Sequence, residues 1–214
     1  MYSIDSISVY IFNWKKVTNN SLKLYKKIKK IVDDTTIVNC DETRPIDGSI
    51  QLDDSHYYGS QYDTAIKHVK PNKIFCVIVG DNIHENDFEL IFKTALNTFN
   101  SHKVGIYSPN DKRSSHKRIL NNYLDTLFSV ENTDCGFWFI NPEIVSKLKH
   151  IDYGVSTYGW MIDVLTIKYC RKHGYLVLRD YSISTDQLDH TCGYNRSKAL
   201  TCGAELTKLF ELVK

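Results

Sequence analysis

Ten residues constrain this chain more than any other stretch: Lys-Ile-Phe-Cys-Val-Ile-Val-Gly-Asp-Asn, at positions 73–82. From Ile74 to Val79 the run is wholly apolar and rich in β-branched side chains, with none of the alternation of a half-wetted strand. It reads as a strand buried on both faces, which is the habit of parallel strands covered by helices. The strand then stops at Gly80, Asp81 and Asn82. A carboxylate delivered there stands where open α/β sheets bind ligands, in the crevice beyond the carboxyl ends of the strands.

The neighbouring segments fit such a sheet. Residues 6–12 ("SISVYIF") and 35–40 ("TTIVNC") read as strands, with a helical pattern over 21–32 between them. A short helix is expected over 60–69 and a longer one over 85–100, followed by a strand at 103–109. This alternation predicts a mainly parallel, helix-covered sheet. Farther on, 135–151 reads as a strand and then a helix opened by Asn141 with Pro142 at its first position. Residues 156–174 read as one long helix closed by Gly174, 175–182 as a strand, and the segment after "HTCGYN" as a final helix. The 214 residues are expected to form one domain.

Composition removes several functions. The formal net charge is only +2, without the basic bias of a nucleic-acid binder. The one dense basic cluster, "KLYKKIKK" at 23–30, has helical spacing and reads as the wet face of an amphipathic helix. No apolar run approaches the ~20 residues of a membrane span, and no signal-peptide pattern opens the chain. Six cysteines without a C-x-x-C pair give neither a zinc spacing nor a disulfide framework. A soluble protein of a reducing, cytoplasmic compartment is expected. The first strand ends in Phe12-Asn13-Trp14, not in G-x-G-x-x-G, and there is no Walker A motif, which argues against dinucleotide binding and P-loop chemistry.

Taken together, "SVYIFNW", "IVNCDE", "YYGSQYDTAI", "CVIVGDN", "CGFWFINPEIVSKL", "YGWMIDVLTIKYCRKHGYLV" and "HTCGYN" resemble, over nearly the whole chain, a small glycosyltransferase of the GT-A fold. More narrowly, the chain is similar to the single-domain transferase modules of large DNA viruses of algae, such as the N-terminal glycosyltransferase domain of a chlorella virus capsid-glycan enzyme. The resemblance implies an α/β fold with a mainly parallel mixed sheet, residues 1–109 binding the nucleotide sugar and 110–214 binding the acceptor. It implies transfer from a nucleotide diphosphate donor, UDP by family default and carrying glucose or rhamnose among other sugars, to a glycan or glycoprotein acceptor, assisted by Mn²⁺ or Mg²⁺. Further domains of the same polypeptide are compatible with it. A viral origin would place the chain in the host cytoplasm.

The family's metal motif is Asp-x-Asp, whereas the matching positions here read Val79-Gly80-Asp81, followed by Asn82. Hard oxygen donors suit Mg²⁺ and Mn²⁺, so Asp81, led into by a buried strand, is the metal candidate ahead of the alternative of an Asx turn or helix cap. Asn82 is a weaker candidate, and His190 is a second ligand by resemblance. Donor contacts implied by the family fall on Phe12, Asn13, Asp41, Tyr58, Gly59 and Tyr62. An inverting transfer needs one general base, and the resemblance puts Asp163 in that place, with Asp152 as runner-up. Two other classes compete. A nucleotidyltransferase normally carries a glycine-rich Arg/Lys signature after the first strand, and "FNWKK" lacks the glycines. A non-catalytic sugar-nucleotide or glycan-binding module would explain the missing carboxylate.

Overall fold

A computed structural model describes residues 1–84, 87–114, 116, 118–188 and 195–213. In chain order the main elements are β1 (Ile7–Trp14), α1 (Thr18–Ile28), β2 (Thr35–Cys40), β3 (Ile50–Gln51), α2 (Tyr58–His68), β4 (Ile74–Val79), β5 (Asn82–His84), α3 (Phe88–Ser101), β6 (Val104–Asp111), β7 (Ile119–Leu124), β8 (Leu127–Val130), β9 (Phe137–Ile140), α4 (Pro142–Leu148), α5 (Ile162–Lys172), β10 (Leu176–Gln187) and α6 (Arg196–Glu211). One sheet of ten strands runs β3-β2-β1-β4-β9-β6-β10-β8-β7, with β5 paired to β10.

The wholly apolar β4 is explained by two cores. Phe75, Val77 and Val79 join one hydrophobic cluster with α2, α4, α5 and α6, while Ile74, Cys76 and Ile78 join another with α1 and α3. Alternate side chains point to opposite faces, so a strand between two helical layers has no polar face to show. The "KLYKKIKK" helix is amphipathic as expected, with Leu24 and Ile28 buried and its lysines outside.

Strands β1, β2, β3 and β4 are parallel, as are β6 and β10. Each antiparallel pairing involves a strand beyond residue 118. Strand β9 is reversed between β4 and β6, with Phe137 opposite Ile78. Its beginning, not its end, therefore lies beside the carboxyl ends of its neighbours.

Three expectations need correction. Helix α3 starts at Phe88, with Asp87 capping the Glu89 N–H, because Asn82–His84 first pairs with β10. Helix α5 starts at Ile162, because Gly159 (φ 79°) and Met161 (φ 72°) are left-handed and break the helical path; Gly174 (φ 72°) does follow its end. The β7–β8 hairpin was not anticipated. All six residues of β7 are exposed, so no buried face prints a period of two on its sequence. No helix among the described residues is long and apolar enough to cross a membrane.

Candidate functional site

The strand that ends on a carboxylate is stopped by packing. Gly80 has no room for a side chain: a Cβ would stand 2.1 Å from Ser21 Oγ and 2.7 Å from the Phe12 carbonyl oxygen. The Gly80 N–H donates to that carbonyl at 2.8 Å. Asn20 of α1 clamps the bend, its Nδ2 donating to the carbonyls of Gly80 (2.7 Å) and Asn82 (2.8 Å). Asp81 and Asn82 are thus held inside, 3% and 1% exposed. The Asp81 carbonyl accepts from the Leu188 N–H, and Asn82 Nδ2 reaches the Gly136 carbonyl at 3.4 Å. Asn82 Oδ1 is buried with no hydrogen-bond partner among the described residues.

Beside this bend the ends of β1 and β2 enclose a polar network. Asn13 Nδ2 donates to Asn39 Oδ1 (2.6 Å) and Thr18 Oγ1 (3.2 Å), and Thr18 Oγ1 donates to Asp41 Oδ2 (2.9 Å). Asp41 Oδ1 accepts from the N–H and the hydroxyl of Thr43 at 3.1 and 2.6 Å. Burial alone would raise the Asp41 carboxyl. The Thr43 and Thr18 donors and the nearby Lys15 charge outweigh it and hold the group below the ordinary Asp value. Asn39, which the sequence did not single out, is the hub, since its Nδ2 also reaches Gln51 and the Arg44 carbonyl.

Helix α2 covers the network with aromatic rings. Phe12 and Tyr58 meet edge to face at 5.3 Å, and the Tyr58 hydroxyl donates to the Cys135 carbonyl at 2.7 Å. Phe12 and Tyr62 are fully buried, Tyr62 against Phe75 and Tyr153, so both rings belong to the core. Gly59 is corrected. A Cβ there would stand 1.8 Å from the Ser156 carbonyl oxygen, and its N–H donates to the Thr157 carbonyl. That close approach to backbone requires glycine.

A second group assembles at the same end of the sheet. The left-handed Met161, a conformation that costs a non-glycine residue roughly 1–2 kcal/mol, turns the chain so that Asp163 falls in the first turn of α5. Asp163 Oδ2 lies 3.8 Å from His116 Nε2, which lies 3.6 Å from Asp134 Oδ1. One ligand atom from each residue lies within 4.8 Å of the other two. Burial pushes the Asp163 carboxyl above its ordinary value, and the Asp134 charge adds to this. The Val164 N–H and His116 oppose it. Asp134 Oδ2 is buried with no hydrogen-bond partner among the described residues.

His116 and Asp134 sit on separate loops tied to one fully buried cation. Arg179 of β10 donates to the His116 carbonyl (2.5 Å), the Asn132 carbonyl (3.1 Å) and Ser114 Oγ (3.4 Å). Asp111 ends β6 and accepts from Gln187 Nε2 at 2.8 Å, and Gln187 pairs with Asn82 across β10 and β5. Burial raises the Asp111 carboxyl as well. The sequence reading missed His116, Asp134, Asp111 and Arg179. Only Asp134, standing directly before "CGFWFI", carried a usable signal.

The structure brings His116, Asp134 and Asp163 together, and leaves Asp81 and Asn82 as a separate pair of donors. Asp152 joins neither. It is exposed, and its carboxylate caps the short 3₁₀ turn at Tyr153–Val155 by accepting from the Gly154 N–H. His190 lies outside the described residues. Two carboxylates around an imidazole can move a proton, or hold a hard divalent cation.

No known protein-family model matches the chain, and no curated protein sequence matches it. Solved structures do. One is GalNAc-T7 with UDP, GalNAc and Mn²⁺, with a TM-score of 0.66 and 10% identity over 94% of this chain and 48% of that one, so this chain spans about half its length. A Bacillus anthracis protein assigned as a glucose-1-phosphate thymidylyltransferase, in complex with sucrose, gives a TM-score of 0.57 and 13% identity over 96% and 99% of the two chains. UTP-bound UGPase from Acinetobacter baumannii gives 0.51 and 10% over 97% and 100%. These likenesses concern the fold. The chain has the α/β, GT-A-type nucleotide-diphospho-sugar transferase fold, a mixed central sheet flanked by helices.

Proposed function

We propose that the chain is a nucleotide-sugar-dependent glycosyltransferase that inverts configuration, with a UDP-sugar donor, a glycan or glycoprotein acceptor and Asp163 as general base. The observation that carries the proposal is Asp163 itself: a largely enclosed carboxylate, raised by burial, at the end of the sheet where Gly80-Asp81-Asn82 closes β4. A base needs a carboxyl raised towards the operating pH. As the acceptor oxygen attacks the anomeric carbon, its proton passes to Asp163. The bond from that carbon to the diphosphate oxygen breaks, and its electron pair leaves with the diphosphate. His116 and Asp134 restrain the base, and the exposed cap Asp152 takes no part.

Mn²⁺ or Mg²⁺ would neutralise charge on the departing diphosphate. Asp81 and the orphaned Oδ1 of Asn82 are oxygen donors of the right kind to hold it. Asn13 and Asp41, at the ends of β1 and β2, are the proposed donor side, with Tyr58 beside them. The GalNAc-T7 structure, with its UDP and Mn²⁺, supports this reading.

Nucleotidyl transfer is the second reading, favoured by the full-length likeness to the pyrophosphorylase-type structures. Against it, β1 and α1 are joined by only Lys15, Lys16 and Val17, and the Val17 N–H bonds back to the Trp14 carbonyl. No glycine-rich loop fits in that turn. Calorimetric titration with UDP, GDP and UTP, each with Mn²⁺ and with chelator, tests the proposal. UDP binding that needs Mn²⁺ and is lost in Asp81→Ala is expected, with UDP-sugar turnover lost in Asp163→Asn while binding survives. Pyrophosphate release from UTP and a sugar phosphate would select the second reading. Absence of nucleotide binding would leave a glycan-binding module.

A further inference from the structure

The end of the sheet opposite the crevice has a chemistry of its own. Helices α1, α2, α3 and α5 run back from the crevice, so their carboxyl ends gather where the parallel strands begin. Basic residues crowd there. Lys70 and Lys73 line a cavity of about 240 Å³ together with Lys149, Tyr2 and Glu143. On the other side of Glu143, Lys103 and Lys147 line a second cavity of about 270 Å³ with Tyr175 and His173. Cations in a last helical turn, such as Lys67 or Lys172, merely complement the helix dipole. Lys70 and Lys73 lie beyond those turns, in the connection that leads into β4, so the dipole does not account for them; Lys103 donates to the carbonyl of His173 at the C-cap of α5, and Lys147 and Lys149 close α4. Among the described residues lining the two cavities, Glu143 is the one acid against five lysines. Asp34 pairs with Lys70 and Lys73 at 3.3 and 3.7 Å and neutralises only part of the charge. The crevice end carries Asp81, Asp111, Asp134 and Asp163 beside cations of its own, among them Lys15, Lys16, Lys112 and Arg113.

We infer that this basic face docks the protein on an anionic lipid surface, with the crevice turned away from it. An anionic lipid bilayer fits the shape better than a nucleic acid does. The lysines ring two shallow, headgroup-sized cavities spread over several helix ends. A single-stranded nucleic acid would want a continuous groove with stacking platforms, and here Lys103 covers the face of Tyr175, its Nζ 4.5 Å from the ring centroid. Lysines near such a surface are each worth about fivefold in binding, and salt screens them.

Vesicle co-sedimentation tests the inference with no reference to catalysis. The protein is expected to sediment with phosphatidylcholine vesicles containing phosphatidylserine, to stay in solution with phosphatidylcholine alone, and to be released by salt. Exchanging Lys70, Lys147 and Lys149 for glutamate together should reduce binding by about a hundredfold or more. The same reversal at Lys15 and Lys16, on the crevice end, should leave binding nearly unchanged. An unaltered thermal melt shows that both variants are folded. Equal sedimentation with neutral vesicles, equal loss in the two variants, or binding to single-stranded RNA without binding to acidic vesicles would each overturn the inference.

Discussion

At the scale of single residues the two ends of the site use opposite electrostatics. Asp163 is raised by burial, so its protonated form is the one the fold prefers. The stability this confers is present below the unfolded value, near pH ~3.9, and is lost as the pH rises through the folded value. Asp163→Asn should therefore melt at a higher temperature than the native chain at neutral pH, while its turnover of UDP-sugar falls by a factor on the order of 10²–10⁴. Calorimetry and a coupled UDP-release assay read the two effects separately, and a lower melting temperature would contradict the assigned strain. The acid limb of the rate profile should lie above the ordinary Asp range. Asp41 is the reverse case. Held down by the donors of Thr43 and Thr18, it contributes stability above the unfolded value that is lost as the pH falls through its folded value. Asp41→Ala leaves those donors unpaired and should cost about 1–3 kcal/mol at neutral pH, with a smaller deficit in acid. Denaturant titrations at several pH values would measure both.

At the scale of elements, the sequence announced strands whose two faces are alike and helices with a cap. Buried β4 and α4, opened by Asn141 and Pro142, are where expected, because local chemistry suffices to define them. What the sequence hid is set by distant partners. Asn39 looks like an ordinary strand residue and Asp134 like a turn residue until Asn13 of β1 and His116, respectively, are brought beside them. The reading of strand ends as ligand sites finds Asp81, yet overlooks Asp134, because β9 runs backwards and its residues reach the crevice before the strand begins. The lead-in to α5 was hidden for a similar reason: helix-forming residues at 160–162 are overridden by two left-handed positions packed on α2 and α6, where Gly159 abuts Tyr58 and Gly203 abuts Met161. Gly59→Ala should break this joint, costing about 1–3 kcal/mol from a Cβ driven into the Ser156 carbonyl. Because the same joint aims Asp163, the variant should lose more turnover than nucleotide affinity. Equal loss of both in a folded variant would speak against the coupling.

At the scale of the whole molecule the fold joins a half made of the parallel strands β1 to β4 to an acid half made of pieces distant in sequence. If UDP and Mn²⁺ bind only the folded chain, a hundredfold excess over the dissociation constant should add about 2.7 kcal/mol to its stability. A thermal shift measures this directly, and none is expected in Asp81→Ala. The acid half carries another consequence through Arg179. Its guanidinium is buried on acceptors from Ser114, His116 and Asn132, and it arrives on β10, which follows all three in the chain. Until that strand docks, those loops lack their common fastener, and once it docks they open only with it. In native-state hydrogen exchange the amides around His116 and Asn132 should share the opening free energy of central β10, as one cooperative unit. In Arg179→Met they should exchange as independent loops, while β1, β2 and β4 keep their protection.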